Sequence, residues 1–267
     1  MHDYHIHTKY CRHATGEMRD YVDYALKLGF DEIGFSDHYP MYFFPIPPPA
    51  DDLSMSLKEL PQYISDVKNL RELYHGKIGI KLGIELDYVS GKEEFLRKEL
   101  TKNRFDYVYG SIHLIDDWIV DHPRFIKKFE ETSLDQLYSR YFDLMKALIK
   151  SKIFDIVSHI DVLKRFGYTP AKGYSPLLIE CLDLIAENDM VLEINTSGLD
   201  NIVEETYPGR DTYKKLVEKD IPVLLGSDAH APDQVGRHFR RTLELLKRAG
   251  VSQLVVFENR RKTYVEI

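Results

Sequence analysis

Short apolar runs alternate with longer amphipathic stretches along most of the chain. The runs at 4–7, 31–35, 79–85, 106–112, 154–158, 190–195 and 221–226 are rich in β-branched and aromatic residues and predict strands. A further run at 253–257 predicts an edge or closing strand. Helical spacing predicts a helix over 17–28, stopped by Gly29, whose backbone tolerates the left-handed C-terminal turn. A second helix is predicted over 57–74, with Leu57, Leu60, Ile64, Val67 and Leu70 on one stripe. The stretch 134–151 follows Ser133 and has Gln136 three positions on, a capping-box pattern. Its stripe is Leu137, Tyr141, Leu144, Met145 and Leu148. Helices over 176–188 (opened by Ser175-Pro176), 212–219 and 232–249 complete the set.

Alternating β and α elements imply a mostly parallel sheet. The polar residues that end the apolar runs say which kind. The endings are His5-Ile6-His7, Ser36-Asp37-His38, Glu85, Ser111-Ile112-His113, Ser158-His159 and Ser227-Asp228-Ala229-His230, with His13 in a loop after the first. A doubly wound sheet gathers its site at one switch point. Here donors sit at nearly every strand end, so the expected fold class is α/β, a closed or nearly closed barrel with about seven strands rather than the usual eight. One domain over residues 1–267 is expected. The aromatic and proline-rich stretch 39–52 breaks periodicity and is expected to loop over the barrel mouth.

Composition narrows the class. A formal net charge of −7 argues against broad binding to nucleic acid, which calls for basic surfaces. Two cysteines, Cys11 and Cys181, do not make a disulfide scaffold. Cys11, between His7 and His13, is either a thiolate ligand or a small reduced core residue, the second being the commoner role. No basic and apolar leader and no membrane-length run is visible, so a cytoplasmic protein with no membrane partner is expected.

The endings carry chemistry. His5 and His7, two apart on a strand, point to one face and can grip one cation together. Glu85 can bridge two cations, one on each oxygen. Asp228 and His230 repeat the two-residue spacing, and His113 and His159 end two further strands. Any one of these histidines alone is an ordinary hydrogen-bonded residue; the ordered set points to a cluster of divalent ions. His2, His75 and His238 fall outside the pattern and are expected in solvent, and His122 has no assigned role.

The motifs His5-Ile6-His7, Cys11-Arg12-His13-Ala14, Ser36-Asp37-His38, Gly83-Ile84-Glu85, Gly110-Ser111-Ile112-His113, Ser158-His159-Ile160-Asp161 and Gly226-Ser227-Asp228-Ala229-His230 resemble, in order, those of the polymerase-and-histidinol-phosphatase (PHP) superfamily. Asp121-His122-Pro123, Phe166-Gly167 and Asn195-Thr196-Ser197-Gly198-Leu199 are similar to its monofunctional histidinol-phosphate phosphatase branch. The resemblance implies a distorted (β/α)7 barrel with three divalent ions of the zinc, manganese or iron kind. It implies one ion on His5, His7, Glu85 and Asp228, a second on Glu85, His113 and His159, and a third on His13, His38 and His230. The expected reaction is hydrolysis of L-histidinol phosphate, a small phosphate monoester of histidine biosynthesis. The expected step is attack of a hydroxide bridging the ions that share Glu85, with Asp228, His230 or a metal-bound water serving the leaving group.

Phosphate also calls for cations. Lys164 and Arg165 resemble the branch's basic position, and Arg12 is a second candidate. After Leu199 the branch often places a basic residue on phosphate. Here Asp200 stands there, with Arg210 as the substitute candidate. Asp161 and the cluster Tyr42-Phe43-Phe44 are expected to meet the amine and ring of the substrate. The alternative within the superfamily is a protein-tyrosine or general phosphomonoesterase. An amidohydrolase would need a counterpart to its bridging modified lysine, which is not evident. A polymerase-docking module would be expected to lack ligands and to be more basic.

Overall fold

In a computed structural model, described for residues 1–44, 53–116 and 118–267, a parallel sheet of seven strands curls into a nearly closed barrel. The chain runs β1 His2–Ile6, α1 Met18–Leu28, β2 Glu32–Phe35, α2 Leu60–Leu73, β3 Gly79–Asp87, α3 Glu93–Thr101 and β4 Tyr107–Ser111. A small ribbon follows, β5 Leu114–Ile115 with β6 Trp118–Ile119, then α4 Lys128–Glu131 and α5 Leu134–Ser151. It continues with β7 Ile156–Val157, α6 Ser175–Glu187, β8 Val191–Asn195, α7 Tyr213–Glu218, β9 Val223–Gly226 and α8 Phe239–Ala249. The barrel order is β1-β2-β3-β4-β7-β8-β9. Closure falls just past the strand ends, where His7 N–H donates to Ala229 O at 2.9 Å and Ala229 N–H to His5 O at 3.1 Å.

The predicted strands are all present; β1 begins two residues early and β3 runs two residues further, while the other five are shorter than expected. The run at 154–158 is reduced to two paired residues. Gly29 takes the left-handed C-terminal position with φ 76, and the Ser133 hydroxyl accepts from Gln136 N–H. The helix expected over 232–249 forms only from Phe239, after a short 3-10 turn. Helix α3 was not expected: five of its nine residues are charged, and Leu96 and Leu100 are its only buried apolar side chains. The last predicted run does not join the barrel. It forms β10 Gln253–Glu258, paired with the unexpected β11 Arg261–Glu266.

Among the described residues the core has two main parts, beside a small cluster of Met41, Leu53 and Ile119. The larger lies between the barrel wall and the helices. The smaller fills the barrel interior with Tyr4, Tyr107, Tyr109, Ile156, Val191 and Leu224, and Val255 and Phe257 of β10 plug its lower end. Tyr107 crosses the interior and donates to Tyr4 O at 2.7 Å. Its ring lies over Gly83, where an added methyl would fall inside van der Waals contact. Among the described residues no helix is long and apolar enough to cross a membrane. Gly83→Ala is expected to cost about 1–3 kcal/mol by overpacking. That should appear as a fall of roughly 2–10 °C in the thermal midpoint; an unchanged midpoint would show that the interior has room to spare.

Candidate metal centre

The C-terminal ends of the barrel strands carry the donors. His5 lies in β1 and His7 just beyond it; Glu85 lies in β3; His38, His113, His159 and Asp228 follow β2, β4, β7 and β9. All of these except His5 line a cavity of about 360 Å³, together with His13 and His230. His5 sits beneath, fully buried.

Fixed partners decide which nitrogens face inward. His5 Nδ1 donates to Glu193 Oε1 at 2.6 Å, and His113 Nδ1 lies 3.1 Å from Asp87 Oδ1. His13 Nδ1 donates to Cys11 O at 2.7 Å and His230 Nδ1 to Asp228 O at 3.1 Å. Carboxylate and carbonyl partners assign the ring N–H to Nδ1, so each Nε2 is an acceptor. The Nε2 atoms of His13 and His230 then face each other at 3.0 Å with no proton between them. His5 and His7 meet through Nε2 at 3.1 Å, and His113 and His159 at 3.2 Å. Ligands about 2.1 Å from one tetrahedral ion stand about 3.4 Å apart, so these are spacings a shared cation imposes.

Glu85 is central. Its Oε2 lies 3.6 Å from His5 Nε2 and 3.5 Å from His7 Nε2, while Oε1 lies 3.2 Å from His159 Nε2 and 3.5 Å from His113 Nε2. Its two oxygens thus serve two separate histidine pairs. Asp228 Oδ1 lies 3.3 Å from His7 Nε2. Asp228 itself has φ 52, a left-handed backbone that aspartate tolerates better than most residues. His38 stands between the groups, with Nδ1 3.0 Å from Glu85 Oε2 and a ring nitrogen within 4.8 Å of donors from His7 and His230. Glu85 Oε2 is buried with no hydrogen-bond partner, as an oxygen held for a cation would be; His7 Nδ1, the outer nitrogen of its ring, is also unpartnered.

The same crowding governs protonation: burial works to lower His5 and His7, but the carboxylates around them, Asp228 and Glu85 among them, hold both well above the usual imidazole range. Burial works to raise the carboxyl of Glu85, but the imidazoles of His113, His38 and His5 outweigh it and hold the group well below its usual range. Asp228 is likewise low, against burial, through His5, His7 and His230. Burial and the neighbouring His7 push His230 well down. His113 goes the other way: Asp87, Glu85 and Asp121 overcome burial and lift it to about 10. Protons and divalent cations compete for such a donor set.

The other predicted site residues divide. Arg165 lines the cavity, 3.8 Å from Asp121 Oδ2, and its Nε is buried with no hydrogen-bond partner. Lys164 does not line it. It turns into the protein and pairs with Asp161 at 3.0 Å and Glu205 at 2.9 Å, and Asp161 does not line the cavity either. Asp161 also accepts from the Tyr174 hydroxyl at 2.9 Å. Arg12 pairs with Glu59, and Arg210 is exposed; neither lines the cavity. Of the aromatic cluster only Phe44 reaches the cavity; Phe43 is buried and Tyr42 packs on Phe43 and Phe95. Positions 45–52 of the expected mouth loop lie outside the described residues.

His238 is half-buried and donates to Asp200 at 2.6 Å. His2 is half-buried against Tyr4, and His75 is exposed as expected. His122 lines the cavity and accepts from Arg124 N–H at 3.1 Å. Cys11 Sγ is within 4.8 Å of donors from His13 and His230, and hydrogen bonds to His13 and His7 lower its thiol against burial and Asp37.

Several site residues escaped sequence reasoning. Glu193 and Asp87 orient His5 and His113, and Asp121 and Arg237 line the cavity. A carboxylate inside the apolar run Val191-Leu192-Glu193-Ile194, and Asp87 two positions after Glu85 on one strand face, were signals that could have found two of them. Gly226 lets Glu193 reach: a methyl there would strike its carboxylate.

Comparison with known proteins agrees with this geometry. The family model described as "PHP domain" matches residues 3–197. The chain is 35% identical over 260 residues to a protein of Deinococcus radiodurans named "Probable histidinol-phosphatase", covering 97% of each. It is 30% identical over 267 residues to the histidinol-phosphatase of Bacillus subtilis, covering 91% of this chain and 98% of that one. The fold is shared with the histidinol phosphate phosphatase of Lactococcus lactis, whose crystal structure holds Zn, L-histidinol and phosphate. The TM-score is 0.82 at 24% identity, over 98% of both chains.

Lys164→Met is expected to cost about 3–5 kcal/mol, because it strands the buried Asp161 carboxylate. Arg165→Met should leave the thermal midpoint nearly unchanged. Equal midpoints for the two variants would overturn the division between them.

Proposed function

The chain belongs to the PHP domain family, and from that premise we propose that it is a histidinol-phosphatase, hydrolysing L-histidinol phosphate to L-histidinol and phosphate. We read residues 1–267 as one metallophosphoesterase domain. The observation that carries the reading is the convergence of acceptor-only imidazole nitrogens and two carboxylates on one cavity floor. Relatives at 35% and 30% identity bear the same functional name over nearly their full lengths.

The donor set fits divalent ions, with mixed nitrogen and oxygen ligands of the zinc, manganese or iron kind. His5, His7, Glu85 and Asp228 would hold one, Glu85, His113 and His159 a second, and His13, His38 and His230 a third. When bound, such ions neutralise phosphoryl oxygens and acidify the attacking water. Glu193 and Asp87 keep His5 and His113 in the tautomer that accepts inward. Arg165, which lines the cavity with only a 3.8 Å approach to Asp121, would offer its terminal nitrogens to the phosphoryl group. Asp228 and His230 line the same cavity; with Asp228 ionised and His230 neutral, they would serve the leaving oxygen by orienting a water that gives it a proton, not by donating one of their own. Met41, Phe44, Leu53, Leu114 and Ile119 make an apolar wall for the carbon skeleton, and Asp121 offers a carboxylate to its cationic end.

The test is metal analysis of the purified protein together with phosphate release from histidinol phosphate and from a phosphotyrosine peptide. About three equivalents of metal and a strong preference for histidinol phosphate are expected. Preference for the peptide would move the assignment to another phosphatase of the family. Glu85→Gln is expected to lower kcat/KM by at least about 100-fold and to reduce bound metal. Near-normal turnover with full metal content would refute its bridging role.

A further inference from the structure

We propose that Arg237, aimed by Asp200, is a second phosphate-gripping side chain of this site, opposite in kind to Arg165 because it is held rigid before the ligand arrives. The inference rests on the phosphatase reading and adds to it a binding residue and a positioning residue.

Arg237 follows the loop that carries Asp228 and His230, and its side chain is 16% exposed on the cavity wall. Three contacts hold the guanidinium. Nε donates to Ser227 O at 2.8 Å, Nη2 to Asp228 O at 2.8 Å, and Nη1 to Asp200 Oδ2 at 3.3 Å. Its own carbonyl accepts from Thr196 Oγ1 at 2.8 Å, which ties the residue to the end of β8 as well. A guanidinium has five N–H donors, so one is left on each terminal nitrogen. The cation is therefore locked to the backbone of the turn that presents Asp228, with a donor still available on each terminal nitrogen. That matches an oxyanion of phosphate geometry, which takes paired N–H donors from arginine.

Asp200 explains itself in the same terms. An acidic residue on the wall of a phosphate site would repel the ligand if it were free, and this one is not. Its Oδ2 accepts from Arg237 and its Oδ1 from His238 Nε2 at 2.6 Å. The carboxylate is 47% exposed and shared with His238, so water screens the pair, and the two N–H donors it leaves on Arg237 stay available to an anion. Asp200 thus acts through Arg237, and Arg237 supplies the cation at the position where Arg210 is turned to solvent.

The experiment compares metal-loaded wild type with Arg237→Met, Arg237→Lys, Asp200→Asn and the Asp200→Asn/Arg237→Met double variant. Inorganic phosphate affinity is read by calorimetry and KM and kcat with histidinol phosphate, with metal content and thermal midpoint recorded for each. Arg237→Met should weaken phosphate binding about 10- to 100-fold, and raise KM more than it lowers kcat. The lysine variant, with charge but no fork, should fall between. Asp200→Asn should weaken binding by a smaller factor and add nothing when combined with Arg237→Met. Phosphate affinity within about twofold of wild type in Arg237→Met, at full metal content, overturns the proposal and leaves the phosphatase reading standing. Should Arg237→Met fail to fold or to hold metal, Asp200→Asn decides, and unchanged affinity there overturns the proposal. A wild type that holds metal but neither hydrolyses nor binds phosphate defeats the phosphatase reading, and the proposal falls with it.

Discussion

The structure turns on a crowd of lone pairs that have nowhere else to point. His5, His113, His13 and His230 each donate the outer ring N–H to a fixed acceptor, so in the neutral ring the inner nitrogen can only accept, and a proton or a cation must fill it. Placing such nitrogens 3.0 to 3.2 Å from one another, beside a buried carboxylate, is unfavourable unless positive charge enters. A flexible site would relax by turning the rings away. This one cannot, because the donors stand on or just beyond strands whose other end is packed with tyrosines and closed by the β10–β11 hairpin. The rigidity of the barrel is therefore what converts an electrostatic liability into affinity for cations.

The barrel and the ligands were legible for the same reason: both are local. A parallel strand announces itself as an apolar run, and a donor at its end sits within two or three positions of that run. Less was legible where a residue's role depends on direction rather than position. Lys164 and Arg165 are neighbours on a 3-10 turn, where successive side chains diverge by about 120°. One enters the protein to meet Asp161 and the other enters the cavity, and no sequence signal separates them. Asp161 looked like a ligand for an amine and is the partner of that lysine. The hairpin strand β11 and helix α3 were missed because both are charge-dense and bury little, so periodicity had almost nothing to register.

Net charge misleads in this pocket. The chain carries −7, and the cavity is lined by Glu85, Asp87, Asp121, Asp200 and Asp228, yet the proposed substrate is an anion. The acids are not free to repel it. Glu85 and Asp228 face imidazoles, Asp87 holds His113, and Asp200 lies between Arg237 and His238. Charge that is already matched at contact distance contributes little field at the cavity centre, so a sum over the chain says nothing about which sign the pocket prefers.

Two arginines on that cavity stand in different states, and the difference has a consequence for binding. Arg237 has its guanidinium held by backbone and carboxylate, so a ligand meeting it loses little further entropy. Arg165 has a buried Nε with no partner and only a 3.8 Å approach to Asp121. Its Nε is out of reach of the cavity, so an anion would meet its terminal nitrogens, which only the approach to Asp121 restrains. One cation is thus preorganised and the other is free to adjust to the ligand, while Lys164, paired with Asp161 and Glu205, is not a third.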